Sequence, residues 1–139
     1  MTKSFYIDLR TIQPSQLYVS EKKLDQVKNW FAAHEIDSYE PLPLKEIDGV
    51  IFFTDGHTRA LMTHLCGIER IKVYWDDDDL DWEAYQECVR WCIEAGITSI
   101  KDLADKIIPH EEYEKLWIGR CDNLHEQLEI QRERLDKQE

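Results

Sequence analysis

The amino-acid sequence predicts an α+β fold in which a strand-rich first half is followed by a helical second half. Residues 50–75 contain an apolar run, a tight turn, a helix-like segment and a second apolar run, which is the order of a β-α-β unit. After residue 75 the apolar positions recur every three or four residues, as in helices, and no Gly/Ser-rich linker separates the halves. At 139 residues the chain is expected to form one unit of two parts: an α/β domain, residues 1–75, and an acidic helical extension packed on it, residues 76–139.

The elements of the first half follow from alternation, capping residues and turn residues. Ser20 is a suitable N-cap for a helix that places Leu24, Val27 and Phe31 on one face. Asp48-Gly49 is a strong signal for a two-residue hairpin. In chain order we expect a strand at 5–9, a turn at 14–15, a helix at 20–33, a loop at 34–43, a short strand at 42–44, and then the unit formed by a strand at 50–54, a helix at 58–66 that stops at Gly67, and a strand at 71–75.

Three helices are predicted for the second half. The first carries an apolar stripe and ends at Gly96, the second is short and capped by Ser99, and the third is long with Pro109 in its first turn. The stripe consists of Trp82, Tyr85, Val89 and Cys92, and the short helix bears Ile100, Leu103 and Ile107. The long helix has a heptad seam made of Trp117, Cys121, Leu124, Leu128, Gln131 and Leu135. The seam is too short for a coiled coil alone, so we expect it to pack on the body of the protein, with a homodimer or a protein partner as the alternative.

Charge is distributed unequally between the two halves. Residues 1–75 carry nine Lys/Arg against ten Asp/Glu, whereas residues 76–139 carry eight against nineteen, and the whole chain has a net charge of −12. Such an acidic half repels nucleic acid and anionic membranes, which argues against DNA binding. No apolar run is long enough for a membrane span, and the first residues lack the apolar stretch of a signal peptide. A cytoplasmic protein with four free thiols is therefore expected.

The turn at residues 55–59, between the predicted strand and helix, is the candidate functional site. Backbone N–H groups at a helix N-terminus, together with the helix dipole, favour an anion. Gly56 permits a sharp turn and close approach of a ligand, Thr58 adds a hydroxyl, and Arg59 offers a planar fork that matches phosphate oxygens. Asp55 is suited to cap the helix, hold a metal or hold His57, and His57 is suited to acid/base catalysis or to donation to an anion. A turn with a purely structural role remains the alternative.

These residues resemble the ParB/sulfiredoxin superfamily, which includes the N-terminal domain of ParB, sulfiredoxin and the ADP-dependent free-serine kinase. The resemblance covers about residues 5–75 and rests on the strand, the Asp-Gly-His-Thr-Arg turn, the helix, the glycine and the following strand. It implies a ParB/sulfiredoxin-like small mixed sheet with packed helices. It also implies that Gly56, His57, Thr58 and Arg59 bind the phosphates of a nucleotide. For an enzyme we expect ATP or ADP, with Mg²⁺, as the nucleotide, and Asp55 or His57 as the residue that assists catalysis.

Departures from the family pattern restrict which activity the resemblance implies. His57 stands where sulfiredoxin-like enzymes have their nucleophilic Cys, which argues against sulfinic-acid reduction, and Thr58 stands where ParB proteins have a second Arg. The free-serine kinase is most similar in this turn, but it has an acidic residue where this chain has Pro14-Ser15-Gln16. Glu21, at the start of the next helix, is a weak candidate to replace that general base.

Three other patterns have simpler structural interpretations. Asp76 to Asp79 with Asp81 offers oxygen ligands for a divalent cation, but a solvated loop that caps the following helix is the favoured interpretation. Cys88 and Cys92 are one helical turn apart and would need His64 or His110 to complete a metal site, so core thiols are favoured and no metal site is assigned. Residues 97–104 are similar to the first helix of a helix-turn-helix, but the acidic segment after them lacks base-reading residues.

Two functions therefore remain open from the sequence. The first is a nucleotide- or phosphate-binding enzyme, a small-molecule phosphotransferase or hydrolase that uses the Asp-Gly-His-Thr-Arg turn. The second is a non-catalytic ParB-like module for regulation or protein interaction. The intact turn favours anion binding, whereas the missing acid after Pro14 favours the non-catalytic module.

Overall fold

A four-stranded mixed sheet forms the centre of the computed structural model, which describes residues 3–33 and 39–137. The strands are β1 (Ser4–Asp8), β3 (Leu42–Ile47), β4 (Val50–Phe53) and β5 (Arg70–Trp75), and a separate parallel pair joins β2 (Val19–Ser20) to β6 (Ile107–Ile108). The strand order of the sheet is β1-β5-β3-β4, with β1 antiparallel to β5, β5 parallel to β3, and β3 antiparallel to β4. The expected α+β class, with a small mixed sheet and packed helices, is confirmed.

The helices are α1 (Glu21–Ala33), α2 (His57–Leu65), α3 (Trp82–Glu94), α4 (His110–Tyr113) and α5 (Gly119–Lys137), with 3₁₀ turns at Leu9–Thr11 and Ile100–Leu103. The predicted cap of α1 is present, because the Ser20 hydroxyl accepts the Lys23 N–H at 3.3 Å. Asp48 and Gly49, with φ angles of 52° and 80°, form the predicted hairpin turn. Of the loop predicted at residues 34–43, residues 34–38 lie outside the described residues.

One core is shared by the two halves of the chain. Leu44, Phe53 and Leu61 from the first half belong to the same buried cluster as Ile97 and Leu103 from the second. A buried hydrogen bond also joins the halves, since Gln13 donates from Nε2 to the Ile97 carbonyl at 2.7 Å. The second half therefore completes the hydrophobic core of the first.

The prediction that Ile107 continues the short helix after Ser99 is wrong. The 3₁₀ turn ends at Leu103, and Ile107 pairs with Val19 in the small parallel ladder. The physical reason is local: Ile107 and Ile108 are β-branched, and Pro109 disfavours helical backbone at the residue before it. Consequently the second half is not wholly helical, because β6 lies inside it.

The C-terminal helix packs on the body of the protein along only part of its seam. Helix α4 continues through a π-helical turn, Glu114–Ile118, into α5. Trp117 and Leu128 are buried, whereas Leu135 is 63% exposed. The seam is thus buried or partly buried within the described structure as far as Leu128. None of the helices in the described ranges combines the length and the apolar composition needed to cross a membrane.

Candidate functional site

The turn after β4 is held by hydrogen bonds to two other elements. The buried Thr54 hydroxyl donates to Oδ2 of Asp76 at 2.8 Å, and Asp76 is the residue that follows β5. The Tyr85 hydroxyl on α3 donates to the Thr54 carbonyl at 2.9 Å. Burial raises the pKa of Tyr85 to about 12, so this donor keeps its proton. The position of the turn is therefore fixed by both halves of the chain.

Gly56 is required at this turn for its conformation and for its lack of a side chain. Its φ angle is +83°, in the left-handed region that favours glycine. A Cβ atom at this position would lie 2.8 Å from Cδ2 of Leu42 and 3.3 Å from Nη2 of Arg59. The Arg59 guanidinium thus folds back beside Gly56, where an ordinary side chain would stand.

The N-terminus of α2 has no side-chain cap. Gly56 is the N-cap residue, and the first helical hydrogen bond runs from the Ala60 N–H to the Gly56 carbonyl at 2.9 Å. The amides of His57, Thr58 and Arg59 precede that bond, so the helix offers them no carbonyl acceptor. The suggestion that Asp55 caps the helix is wrong. Its Oδ1 instead accepts the N–H of the neighbouring Gly56 at 2.8 Å. The N-terminus is thereby left available to an anion.

His57 is the one residue of the turn that is buried in the protein interior. Its exposed fraction is 4%, and its ring meets that of Phe53 edge-on, with centroids 5.6 Å apart. Nε2 accepts the backbone N–H of Ser15 at 2.9 Å, which places the ring proton on Nδ1. Burial lowers the pKa of His57 to about 4, although the nearby Asp55 carboxylate opposes the shift. His57 is therefore a neutral ring that joins the Ser15 segment to the turn.

Ser15 and Gln16, where the sequence resemblance leads us to expect an acidic residue, do lie beside the turn. The buried Ser15 hydroxyl donates to the Phe53 carbonyl at 2.6 Å. The Gln16 side chain donates to the Tyr18 carbonyl at 2.7 Å. Both side chains are thus engaged in neutral hydrogen bonds. Glu21, the suggested substitute base, is exposed on α1 and is absent from the walls of the two cavities next to the turn.

Two cavities flank the turn and divide its side chains. Arg59 lines a cavity of about 100 Å³ that also includes Arg70 and Lys72, two residues apart on β5. Asp55 and His57 line a different cavity of about 360 Å³. The other residues of the first cavity are Tyr6, Tyr39, Glu40, Leu42, Thr63, Ile68 and Ile71. The structure therefore separates the candidate phosphate-binding Arg59 from the candidate catalytic side chains.

Sequence reasoning missed the contribution of β5 to the Arg59 cavity. Arg70 and Lys72 point to the same face because side chains alternate along a strand. The register pairs Lys72 with Tyr6 across the antiparallel ladder. The spacing of two residues was visible in the sequence, but the sequence does not show that Arg70 and Lys72 line the same cavity as Arg59 of α2.

The acidic segment after β5 is partly structural. Asp76 is only 7% exposed and accepts the Thr54 hydroxyl and, at 3.0 Å, the Asp78 N–H. Asp81 caps α3 by accepting the Ala84 N–H at 3.3 Å, as the capping interpretation predicted. Arg132 on α5 donates to both oxygens of Asp81, at 2.9 and 3.1 Å. The segment thus attaches α3 and α5 to the sheet.

No protein-family model matches the chain. No curated protein matches it either. Among solved structures, the chain is similar to protein Atu1540 from Agrobacterium tumefaciens, with 11% identity and a TM-score of 0.53 over 74% of this chain and 62% of that one. The chain thus spans less than two thirds of the length of that protein. This likeness concerns the fold alone.

Two of the three classes of protein named by the sequence resemblance are also among the similar solved structures. Sulfiredoxin from Arabidopsis thaliana is 15% identical with a TM-score of 0.46, over 63% of this chain and 98% of that one. A Pnob8-like ParB-N domain is 13% identical with a TM-score of 0.44, over 69% of this chain and 37% of that one. These two likenesses assign no residue of this chain to an activity.

Proposed function

We propose that the N-terminus of α2 binds a phosphate group of a nucleotide, ATP or ADP, accompanied by Mg²⁺. The observation that carries the proposal is the uncapped helix N-terminus at Gly56, with the Arg59 guanidinium folded beside it. Backbone amides supply donors and the helix dipole favours negative charge, while a guanidinium adds charge-assisted hydrogen bonds to phosphate oxygens. Thr58, in the first turn and only partly buried, supplies a further hydroxyl donor.

The cationic side chains near Arg59 support the proposal, although the net charge of the protein is negative. The whole chain carries −12, which would repel a nucleotide at long range. Arg59 shares its cavity with Arg70 and Lys72, so three cationic residues and one carboxylate, Glu40, line this cavity. Within the described residues the Arg59 guanidinium makes no ion pair with a carboxylate, which leaves its donors for a ligand.

Phosphate transfer to a small hydroxyl-bearing molecule is the reaction that this site would support. Asp55 is the exposed carboxylate of the turn and lies in the cavity of about 360 Å³. In this proposal Asp55 accepts the proton of the acceptor hydroxyl or holds Mg²⁺, and His57 fixes the turn through its bond to Ser15.

A non-catalytic nucleotide-sensing or protein-interaction module is the second candidate. It is favoured by the neutral, hydrogen-bonded side chains of Ser15 and Gln16 where the related kinase has an acid. Both candidates require an anion at α2, but only the first requires turnover. Binding and turnover are therefore measured separately.

Calorimetric titration of the whole chain with ATP, ADP, CTP and inorganic phosphate, with and without Mg²⁺, tests the binding step. We expect Arg59→Ala to weaken binding at least tenfold, as charge-assisted hydrogen bonds are worth roughly 1.5–3 kcal/mol. Arg90→Ala is the matched control, because Arg90 is paired with Glu87 and Glu94 on the exposed face of α3. Absence of heat and of a thermal shift with every anion would overturn the phosphate site.

Turnover distinguishes the two candidates. ATP or ADP consumption is followed with serine and other small hydroxyl compounds, in the wild type and in Asp55→Asn. Product formation that falls at least tenfold in the variant, with unchanged nucleotide binding, supports the phosphotransferase. Tight binding without turnover by either protein supports the non-catalytic module.

A further inference from the structure

The cavity of about 360 Å³ beside Asp55 has the size and the lining of a small-molecule site. Such sites are mostly apolar and hold a few polar groups that fix the orientation of a ligand. The apolar part of this wall consists of Leu80, Ala84, Tyr85 and Trp117. The polar groups that face the cavity therefore decide which class of molecule it accepts.

His57 brings an unused hydrogen-bond donor to this cavity. Because Nε2 accepts the Ser15 N–H, the ring proton is on Nδ1, and no described residue accepts a hydrogen bond from it. Within the described ranges, the Ser99 hydroxyl is the one side-chain polar group that is both sealed from solvent and unpartnered, so Nδ1 of His57 is within reach of a small molecule. His57 is only 4% exposed and lines this cavity, so an oxygen atom of a ligand would satisfy the donor.

Asp55 supplies negative charge next to this donor. The residue is exposed, and it forms no ion pair in the part of the chain that the structure describes. Its Oδ1 accepts the Gly56 N–H, whereas its Oδ2 takes part in no hydrogen bond with a described residue. The Asp55 carboxylate lies close enough to His57 to oppose the fall in the pKa of the ring. A cation that enters the cavity thus finds a carboxylate oxygen beside the His57 donor.

The remaining charged groups keep the cavity free of competing cations. Among the described residues, no lysine or arginine lies in its wall, which contains Asp81 and His125 besides Asp55. The charge of Asp81 is already balanced by Arg132, and Nδ1 of the half-exposed His125 lies 3.9 Å from Oδ2 of Asp81. The cavity therefore differs in charge from the Arg59 cavity: it favours an ammonium group and disfavours a carboxylate or a phosphate.

We propose that the cavity beside Asp55 binds a small amino alcohol, a molecule that carries an ammonium group and a hydroxyl group on neighbouring carbon atoms. The hydroxyl oxygen accepts the Nδ1–H of His57, and the Asp55 carboxylate accepts hydrogen bonds from the ammonium group and from the hydroxyl. Both groups are needed, since the donor requires an oxygen and the carboxylate favours a cation. Binding of the amino alcohol stands by itself, whereas its role as the phosphate acceptor rests on the function proposed above.

Calorimetric titration of the whole chain with ethanolamine, without any nucleotide, tests the proposal. Three compounds each change one group: ethylene glycol lacks the amine, ethylamine lacks the hydroxyl, and L-serine adds a carboxylate. We expect ethanolamine to bind about tenfold more tightly than ethylene glycol and about fivefold more tightly than ethylamine or L-serine. Absence of saturable ethanolamine binding, or equal affinity for ethylene glycol or for L-serine, would overturn the proposal.

Two further measurements locate the bound molecule. Asp55→Asn should weaken ethanolamine binding about tenfold, whereas Asp77→Asn, at an exposed position outside the cavity, is the matched control and should leave it unchanged. In nitrogen NMR of the histidine side chains, ethanolamine should shift the Nδ1 resonance of His57 but not that of His64, which lies outside the cavity wall. Equal weakening by both variants, or a shift at His64 alone, would contradict binding at this place.

Failure of this inference and failure of the phosphate site give different results. Ethanolamine binding without any nucleotide or phosphate binding would retain the amino-alcohol site and remove the phosphate site at α2. Nucleotide binding that depends on Arg59, without ethanolamine binding, would retain the phosphate site and overturn the amino-alcohol site. The two cavities are lined by different residues of the turn, so each titration reports on its own site.

Discussion

The backbone N–H of Ser15 donates a hydrogen bond to Nε2 of His57 at 2.9 Å, across 42 residues of sequence. The hydroxyl of the same serine donates a hydrogen bond to the carbonyl of Phe53, the last residue of β4, at 2.6 Å. The His57 ring therefore points into the protein interior, where it is a neutral hydrogen-bond acceptor that holds the Pro14-Ser15-Gln16 segment beside the turn. Thr58 and Arg59, on the next two positions of α2, remain outward-facing and partly exposed.

The first prediction is that stability falls as the pH decreases from 6.5 to about 4. The folded-state pKa of His57 is about 4 against an ordinary value of 6.5, so between these values the unfolded chain binds a proton that the folded chain excludes. The contribution is complete above pH 6.5 and is lost progressively toward pH 4, and it amounts to about 3 kcal/mol at roughly 1.4 kcal/mol per pKa unit. Urea unfolding at half-unit pH steps measures it.

His57→Gln is the comparison that assigns this slope to one residue. The variant lacks the titrating ring, so its stability should decline less than that of the wild type between pH 6.5 and 4. Asp8, whose pKa its hydrogen bond to Arg10 lowers to about 2, titrates below this window. Parallel decline of the two proteins would show that other groups cause the pH dependence.

The second prediction concerns Gly56→Ala. Alanine at a φ angle of +83° costs about 1–2 kcal/mol, and the added Cβ at 2.8 Å from Leu42 adds steric repulsion. Gly67→Ala is the matched control, because Gly67 has a φ angle of +78° but no atom within 4 Å of the added Cβ. Thermal unfolding should therefore show a larger loss for Gly56→Ala. Equal losses would mean that Leu42 moves aside without cost.

How much of the fold the sequence could predict depends on the range of the interactions involved. Local signals such as the Ser20 cap and the Asp48-Gly49 turn predicted their elements correctly, since both act within three residues. The pairing of Val19 with Ile107 could not be predicted this way, because two two-residue strands carry no periodicity. Their ladder depends on contacts distant in sequence.

The candidate site was predictable in composition but not in its division between two cavities. Gly56 and Arg59 lie next to each other, and whether they bind an anion stays a prediction. Whether Asp55 and His57 are catalytic stays a prediction. That His57 faces inward depends on a backbone donor from Ser15, which no side-chain pattern reveals. The burial of Asp76 was equally hidden, because an acidic run of this kind usually indicates a solvated loop.

The third prediction tests the buried member of that acidic run. Asp76→Ala removes the acceptor of the Asp78 N–H and leaves the Thr54 hydroxyl only the more distant Pro43 carbonyl at 3.4 Å, which should lower stability by about 1–3 kcal/mol. Asp77→Ala, at the exposed neighbouring position, should change stability by less than about 0.5 kcal/mol. Chemical denaturation of both variants measures the difference. Similar values for the two would contradict a structural role for Asp76.

The fourth prediction concerns how α5 is attached to α3. Asp81 caps α3 and also accepts both hydrogen bonds from Arg132, so Asp81→Ala removes two functions at once. Loss of the cap alone should cost about 1 kcal/mol, and the end of α5 should lose its link to the body. Hydrogen exchange should accelerate in the first turn of α3 and around residue 132.

Arg132→Ala separates these two effects. It leaves the Asp81 cap intact, and the exposed ion pair that it removes contributes little to global stability in water. Exchange should therefore accelerate around residue 132 but not at the start of α3. Faster exchange at both places in Arg132→Ala would mean that the ion pair, and not the cap, holds Asp81 in position at the start of α3.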